Sequence, residues 1–205
     1  MEFRNHSFPG DDTDYVAPSW FELQQLSFEI AKQIRASGKT IDRIITLARG
    51  GWPMTRCLID FLDIQGVASI GVKFYSGINE RFDKPHIYQD LPVSVVDERV
   101  LLFDDVADTG TSLKFTQHYL LEFRGVKEVT TATLLTKPRS VIQPDFYGAE
   151  TEAWIIFPYD VADMVSLLTE RWKKQGVSND DMPHRFAELG FDLKWIKYFF
   201  DEKKI

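Results

Sequence analysis

Apolar residues along this chain fall into two rhythms. Between Ser19 and Gly38 they recur at Phe21, Leu23, Leu26, Phe28, Ile30, Ala31 and Ile34. That spacing predicts an amphipathic helix, with Ser19 as its cap and Gly38 as its stop. Ile41–Leu47, Arg99–Phe103 and Glu128–Leu135 are instead short, nearly continuous apolar or β-branched runs, as expected of strands buried on both faces of a parallel sheet. Ala68–Phe74 alternates and reads as a further strand. Helical stripes separate these runs: Leu58, Ile59, Phe61 and Leu62 after Pro53, then Leu113, Phe115, Tyr119, Leu120 and Phe123, ended by Gly125. Strands that alternate with helices predict an α/β fold, a central and mostly parallel sheet flanked by helices.

The remaining segments are read with less regularity. Residues 1–16 are polar, and Pro9-Gly10-Asp11-Asp12 reads as turn or loop. The polar stretch 75–84 is long for a connection and suits either a functional lid or an exposed hairpin tip; His86–Leu91 can return as a short strand. A helix is predicted over 161–175, with Met164, Leu167, Leu168 and Trp172 on one stripe. Ser178–Asp181 forms a turn and cap, a short helix runs from Pro183 to Leu189, and a last segment spans Leu193–Phe200. Its Trp195, Tyr198, Phe199 and Phe200 are too apolar to be left in water, so they are expected to pack on the body or on a second subunit.

Composition narrows the possibilities. The chain has 205 residues, 44% of them hydrophobic and 27% charged, ordinary for one sizeable globular core. A net charge of −7 argues against a nucleic-acid partner. No run approaches a membrane span, and Met1–Asp14 lacks the apolar core of a signal peptide, so no membrane partner and a cytoplasmic location are expected. The single cysteine, Cys57, cannot form an internal disulfide and reads as a buried structural thiol.

Candidate chemistry clusters where strands end. The Arg99–Phe103 run stops at two adjacent carboxylates, Asp104 and Asp105, followed by Asp108-Thr109-Gly110-Thr111-Ser112, which opens a helix. Ligands of open parallel sheets bind beyond the carboxyl ends of strands. A helix N-terminus with spare N–H groups, a glycine and three hydroxyls suits phosphate, while a carboxylate pair suits sugar hydroxyls or a metal ion. Ala48-Arg49-Gly50-Gly51 repeats the strand–turn–helix arrangement with a basic residue, which makes a second anion site.

The string from Val100 to Leu113, with Asp104-Asp105 and Asp108-Thr109-Gly110-Thr111-Ser112, resembles the phosphoribosyl pyrophosphate motif of the type I phosphoribosyltransferases. The resemblance covers about 40–165 and implies one phosphoribosyltransferase domain over 1–205. That domain would carry a small hood from the chain ends and a helical extension at 176–205. Further expectations follow from it. Asp108 to Ser112 would bind the 5′-phosphate, and Asp104 and Asp105 the ribose hydroxyls. Ala48, Arg49, Gly50 and Lys73 would bind pyrophosphate, with a cis peptide at Ala48–Arg49, and 75–88 would form the lid. Asp108 would also be the general base near the purine N7. Lys137, in Lys137-Pro138-Arg139-Ser140, resembles the lysine that donates to the purine O6 in the 6-oxopurine subfamily. Trp154 would stack on the purine, the backbone of Ile155 would meet its edge, and Asp160 would help hold Mg2+ through water. The implied substrates are a purine base and phosphoribosyl pyrophosphate, with a 6-oxopurine favoured. Adenine phosphoribosyl transfer and a non-catalytic sensor of the same ligands are the alternatives. The resemblance also implies a homodimer or higher homo-oligomer.

Overall fold

The computed structural model describes residues 3–77 and 80–203, with backbone only at 74–77, 80–84 and 201–203. In chain order the elements are β1 (Asn5–His6), β2 (Tyr15–Val16), α1 (Trp20–Ser37), β3 (Arg43–Ala48), α2 (Trp52–Leu62), β4 (Gly66–Gly77), β5 (Glu80–Gln89) and β6 (Arg99–Ala107). They continue with α3 (Thr111–Phe123), β7 (Glu128–Thr136), β8 (Phe146–Glu150), β9 (Trp154–Ile155), α4 (Val161–Lys174), α5 (Met182–Glu188) and α6 (Leu193–Lys203). These elements form two compact units, one of residues 23–151 and the other of residues 3–22 and 152–203.

The first unit is the expected α/β body. Its six strands lie in the order β5-β4-β3-β6-β7-β8, parallel except for β5. Ile44 to Leu47 and Val100 to Phe103 are all buried, which explains their nearly continuous apolar or β-branched sequence. Leu113 and Leu120 of α3 join Ile45, Leu47, Ile70, Val100 and Leu102 in one core. At Gly148 of β8 a side chain would lie 2.9 Å from Leu26 of α1, so this glycine lets helix and sheet close together. Near the start of β3 and β6, Arg43 pairs with Glu98, and Arg99 grips both oxygens of Asp42. Hydrogen bonds from Arg99 hold the Asp42 carboxyl down at about 2.

Because β3 is followed on one side by β4 and on the other by β6, the strand order reverses between β3 and β6. A crevice opens at the carboxyl ends of two neighbouring strands where their connections diverge. The connections leaving that point are 48–51 and 107–110, the two anion loops singled out by sequence.

The stretch 75–88 takes the form of the hairpin alternative: β4 continues to Gly77 and β5 begins at Glu80, with Gly77 opposite Glu80. Residues 78 and 79 lie outside the described residues. The segment is rich in Phe, Tyr and Ile, residues that suit a pleated sheet. β8 was not anticipated. Pro9–Gly10 forms the expected turn, with 11–14 irregular; on either side of it β1 pairs with β2, and β2 runs parallel to β9.

The second unit gathers both flanks of the chain around its own core. Trp172 and Phe186 are fully buried and pack with Phe8, Tyr15, Leu168, Met182 and Ile196. On α4 the buried stripe is Val165, Leu168, Thr169 and Trp172, whereas Leu167 is exposed. The aromatic residues of α6 divide: Phe199 and Phe200 pack on this core, while Trp195 and Tyr198 remain exposed. Among the described residues, no helix is long and apolar enough to cross a membrane.

Candidate active site

The loop after β3 is shaped by its peptide geometry and its glycines. The Ala48–Arg49 bond is cis, as the resemblance implies. Gly51 N–H donates to the Leu47 carbonyl at 3.1 Å, and Trp52 N–H to that of Arg49 at 3.1 Å, so α2 begins directly at the strand end. Gly50 has a specific reason to be glycine: a Cβ there would stand 2.3 Å from Oδ2 of Asp105. The absent side chain lets the Arg49 loop lie against the carboxylate pair. One crevice therefore holds both a basic anion loop and two acids.

β6 runs through both acids, extending past the apolar stretch that ended at Phe103. Asp105 is buried and Asp104 half-buried. The N–H of Asp105 donates to Oδ1 of Asp104 at 3.0 Å. Burial, with the neighbouring Asp105 carboxylate adding to it, pushes the Asp104 carboxyl well above the usual carboxylate range. Such a pair favours one shared negative charge over two until a cation or a hydroxyl donor arrives.

The next loop turns into α3 through Gly110, whose φ of 73° is left-handed. No described side chain caps this helix at Gly110, although Thr109 Oγ1 lies 3.4 Å from the N–H of Thr111. Asp108 and Thr109 are exposed, and Thr111 and Ser112 are half-buried. Exposed N–H and hydroxyl donors at the positive end of a helix are the means by which a phosphate is held.

Lys137 leaves the end of β7 with only 4% of its surface exposed. Its N–H donates to the Ala107 carbonyl at 3.1 Å, and the N–H of Val141 donates to that of Thr109 at 2.9 Å. These bonds join the loop carrying Lys137 to the loop carrying Asp108. Arg139 and Asp108 form an ion pair across the same seam. Arg139 stood in the motif string without an assigned role, because nothing in its spacing identifies its partner.

Lys73 lies on β4, two residues past Gly71, the partner of Ala48 at the end of β3. Its ammonium sits over the Tyr88 ring, 5.4 Å from the centroid. Gly71 leaves room for that ring, since a Cβ would meet it at 2.5 Å. Tyr88 was not foreseen, because the cross-strand pairing that presents it depends on the hairpin.

Trp154, Ile155 and Asp160 belong to the second unit. Trp154 pairs with Tyr15 and Ile155 with Val16. Trp154 is exposed and lines a cavity of about 410 Å³ with Tyr15, Leu167, Arg171 and Lys174. Ile155 is half-buried, and Asp160 stands at the N-cap of α4 without capping it through its side chain. Cys57 is half-buried, and burial pushes its thiol up, which suits an inert group better than a nucleophile.

Comparison with known proteins agrees with this geometry. Residues 19–163 match the family model described as the phosphoribosyl transferase domain. The chain is 28% identical over 145 residues to a xanthine-guanine phosphoribosyltransferase of Idiomarina loihiensis, covering 70% of this chain and 85% of that one. It is 26% identical over 151 residues to a hypoxanthine-guanine phosphoribosyltransferase of Bacillus subtilis, covering 71% and 83%. Among solved structures, a purine phosphoribosyltransferase from Pyrococcus horikoshii superposes with a TM-score of 0.62 at 35% identity, covering 71% of this chain and 93% of that one.

Proposed function

The chain belongs to the phosphoribosyltransferase family, and from that premise we propose that it joins a 6-oxopurine base to phosphoribosyl pyrophosphate, yielding a nucleoside 5′-monophosphate and pyrophosphate. The observation that carries this reading is the seating of Gly50 against Asp105. It makes the Arg49 loop and the Asp104–Asp105 pair two walls of one crevice, which sets a cation beside two hydroxyl acceptors.

Each part of the substrate then has a partner of matching chemistry. N–H groups and hydroxyls from Asp108 to Ser112 receive the 5′-phosphate. Asp104 and Asp105 accept hydrogen bonds from the ribose hydroxyls and offset positive charge developing at the anomeric carbon. Arg49 and Lys73 supply charge for the leaving pyrophosphate. Lys137, an N–H donor only, favours a carbonyl at purine C6 over an amine. On family grounds alone, Trp154 and Ile155 are proposed as contacts of the purine and Asp160 as an aid to metal binding through water. Asp108 takes the purine N7 proton as N9 forms its bond to C1′ and the C1′–oxygen bond to pyrophosphate breaks, the electron pair leaving with pyrophosphate.

Mg2+ belongs to the same reading. Among the described residues no three acidic, histidine or cysteine side chains converge as a cage. A magnesium ion carried on pyrophosphate oxygens needs only one or two carboxylates and water, and Asp104 and Asp105 fit that need. When bound, it would neutralise charge on the leaving group. A homo-oligomer in the cytoplasm is part of the proposal on family grounds alone.

The test is nucleotide formation from hypoxanthine, guanine, xanthine and adenine in turn, each with magnesium and phosphoribosyl pyrophosphate. Turnover with one or more of the first three at least tenfold above adenine, about 1.4 kcal/mol in transition-state preference, is expected. A preference for adenine would overturn the role given to Lys137. Binding of phosphoribosyl pyrophosphate without release of pyrophosphate with any base would favour the sensor.

A further inference from the structure

The ion pair between Arg139 and Asp108 is not explained by any substrate contact assigned above. Its geometry is unusual for an arginine and a carboxylate. In a two-pronged fork each nitrogen takes its own oxygen. Here the Nε of Arg139 donates to Oδ1 of Asp108 at 3.0 Å, and Nη2 donates to that same oxygen. No described residue donates a hydrogen bond to Oδ2.

The two backbones beneath the pair are fixed to each other. Besides the Lys137–Ala107 and Val141–Thr109 hydrogen bonds, the Ser140 N–H donates to the Lys137 carbonyl at 3.0 Å. Ser140 Oγ donates to the Ile142 carbonyl at 2.7 Å. Gly110 lies so close to Ser140 that a Cβ would stand 2.2 Å from that hydroxyl. Arg139 and Asp108 therefore project from two loops held as one piece. Their side chains are 59% and 49% exposed, and ion pairs at such exposure add little to stability. Stability alone is a poor account of so converging an arrangement.

We infer that Arg139 is a positioning residue for Asp108. By holding Oδ1 from two nitrogens, it stops the carboxylate from rotating and presents Oδ2 to the N7 proton of the bound purine. This rests on the reading of Asp108 as the group that receives that proton. An unheld aspartate visits several rotamers, and only some place an oxygen within proton-transfer reach. The benefit falls on the chemical step and not on substrate capture.

The experiment compares wild type, Arg139→Gln, Arg139→Lys, Asp108→Asn and the Arg139→Gln/Asp108→Asn double variant. Each is assayed with phosphoribosyl pyrophosphate and the 6-oxopurine that the wild type turns over fastest. Arg139→Gln is expected to lower kcat roughly 10- to 100-fold while KM for phosphoribosyl pyrophosphate changes by less than about threefold. Arg139→Lys should recover part of kcat. In the Asp108→Asn background, Arg139→Gln should cost nothing more, since there is no carboxylate left to orient. Melting curves of all variants identify any that are unfolded, and Arg139→Lys keeps the test open if Arg139→Gln is one of them.

Four results would overturn the inference. A raised KM for phosphoribosyl pyrophosphate at unchanged kcat would make Arg139 a phosphate ligand. Independent, multiplying losses in the double variant would separate the two residues. Full kcat in Arg139→Gln, with kcat lost in Asp108→Asn, would sink the positioning role and leave the Asp108 assignment standing. Full kcat in Asp108→Asn would remove the assignment and the positioning role together.

Discussion

At the scale of single residues, this site holds its acids in an environment that costs stability. Asp104 binds a proton more tightly in the folded chain than in the unfolded one, through burial and through Asp105. A raised folded-state value means that stability falls as pH rises above the unfolded value of about 3.9, until the folded group has also ionised. Asp104→Asn removes that loss. We expect the variant to be more stable than wild type at pH 7 by on the order of 1 kcal/mol, with the difference vanishing below about pH 4. Urea unfolding at pH 7 and pH 4 measures both, and an equal or lower stability at pH 7 would contradict the account. Catalysis should fall in the same variant. The candidate residues were legible in the sequence wherever an apolar run stopped: Asp104, Asp105, Arg49 and Lys137 all follow a strand-like run. Arg139 was not legible as Asp108's partner, because their meeting depends on two loops being stitched together.

At the scale of elements, the flank before α1 is held by one carboxylate. The Asp11 side chain is fully buried and accepts hydrogen bonds from Arg171, from Tyr15 Oη at 2.6 Å and from Trp172 Nε1 at 3.1 Å. Burial alone would raise its carboxyl, but hydrogen bonds from Arg171, Tyr15 and Trp172 outweigh it and hold it far below the usual range. A lowered folded-state value contributes stability above the unfolded value near 3.9 and loses it as pH falls through the folded one. Asp11→Asn should therefore destabilise the protein by about 2–4 kcal/mol at neutral pH, with the gap narrowing only toward pH 2. Thermal melts at pH 7, pH 4 and pH 2 check the size and the direction. β1 and β2 are not legible in the sequence because they are two residues each, too short for any period to register. β8 escaped for a related reason: it is a partly buried edge strand interrupted by Gly148. The central strands were legible because both of their faces are covered.

At the scale of the whole molecule, the α/β body and the helices of the second unit were readable, whereas the pairing of β1 and β2 with β9 was not, since it joins segments from opposite ends of the sequence. Trp172, fully buried on α4, shares its core with Phe186 and Ile196 from α5 and α6. A chain cut after Gln175 should therefore lose this core. We expect a lower melting temperature and binding of an apolar dye, in place of a stable shortened protein. A sharp, wild-type melt of the shortened chain would show that the last helices are dispensable. The pairing of β2 with β9 also sets an order of events during synthesis. At roughly 5–20 residues per second, Tyr15 and Val16 leave the ribosome on the order of ten seconds before Trp154 and Ile155 exist to pair with them. The earlier of the two segments thus waits for its partner, and its buried side chains, Phe8, Tyr15 and Val16, are what a chaperone would meet in the interval.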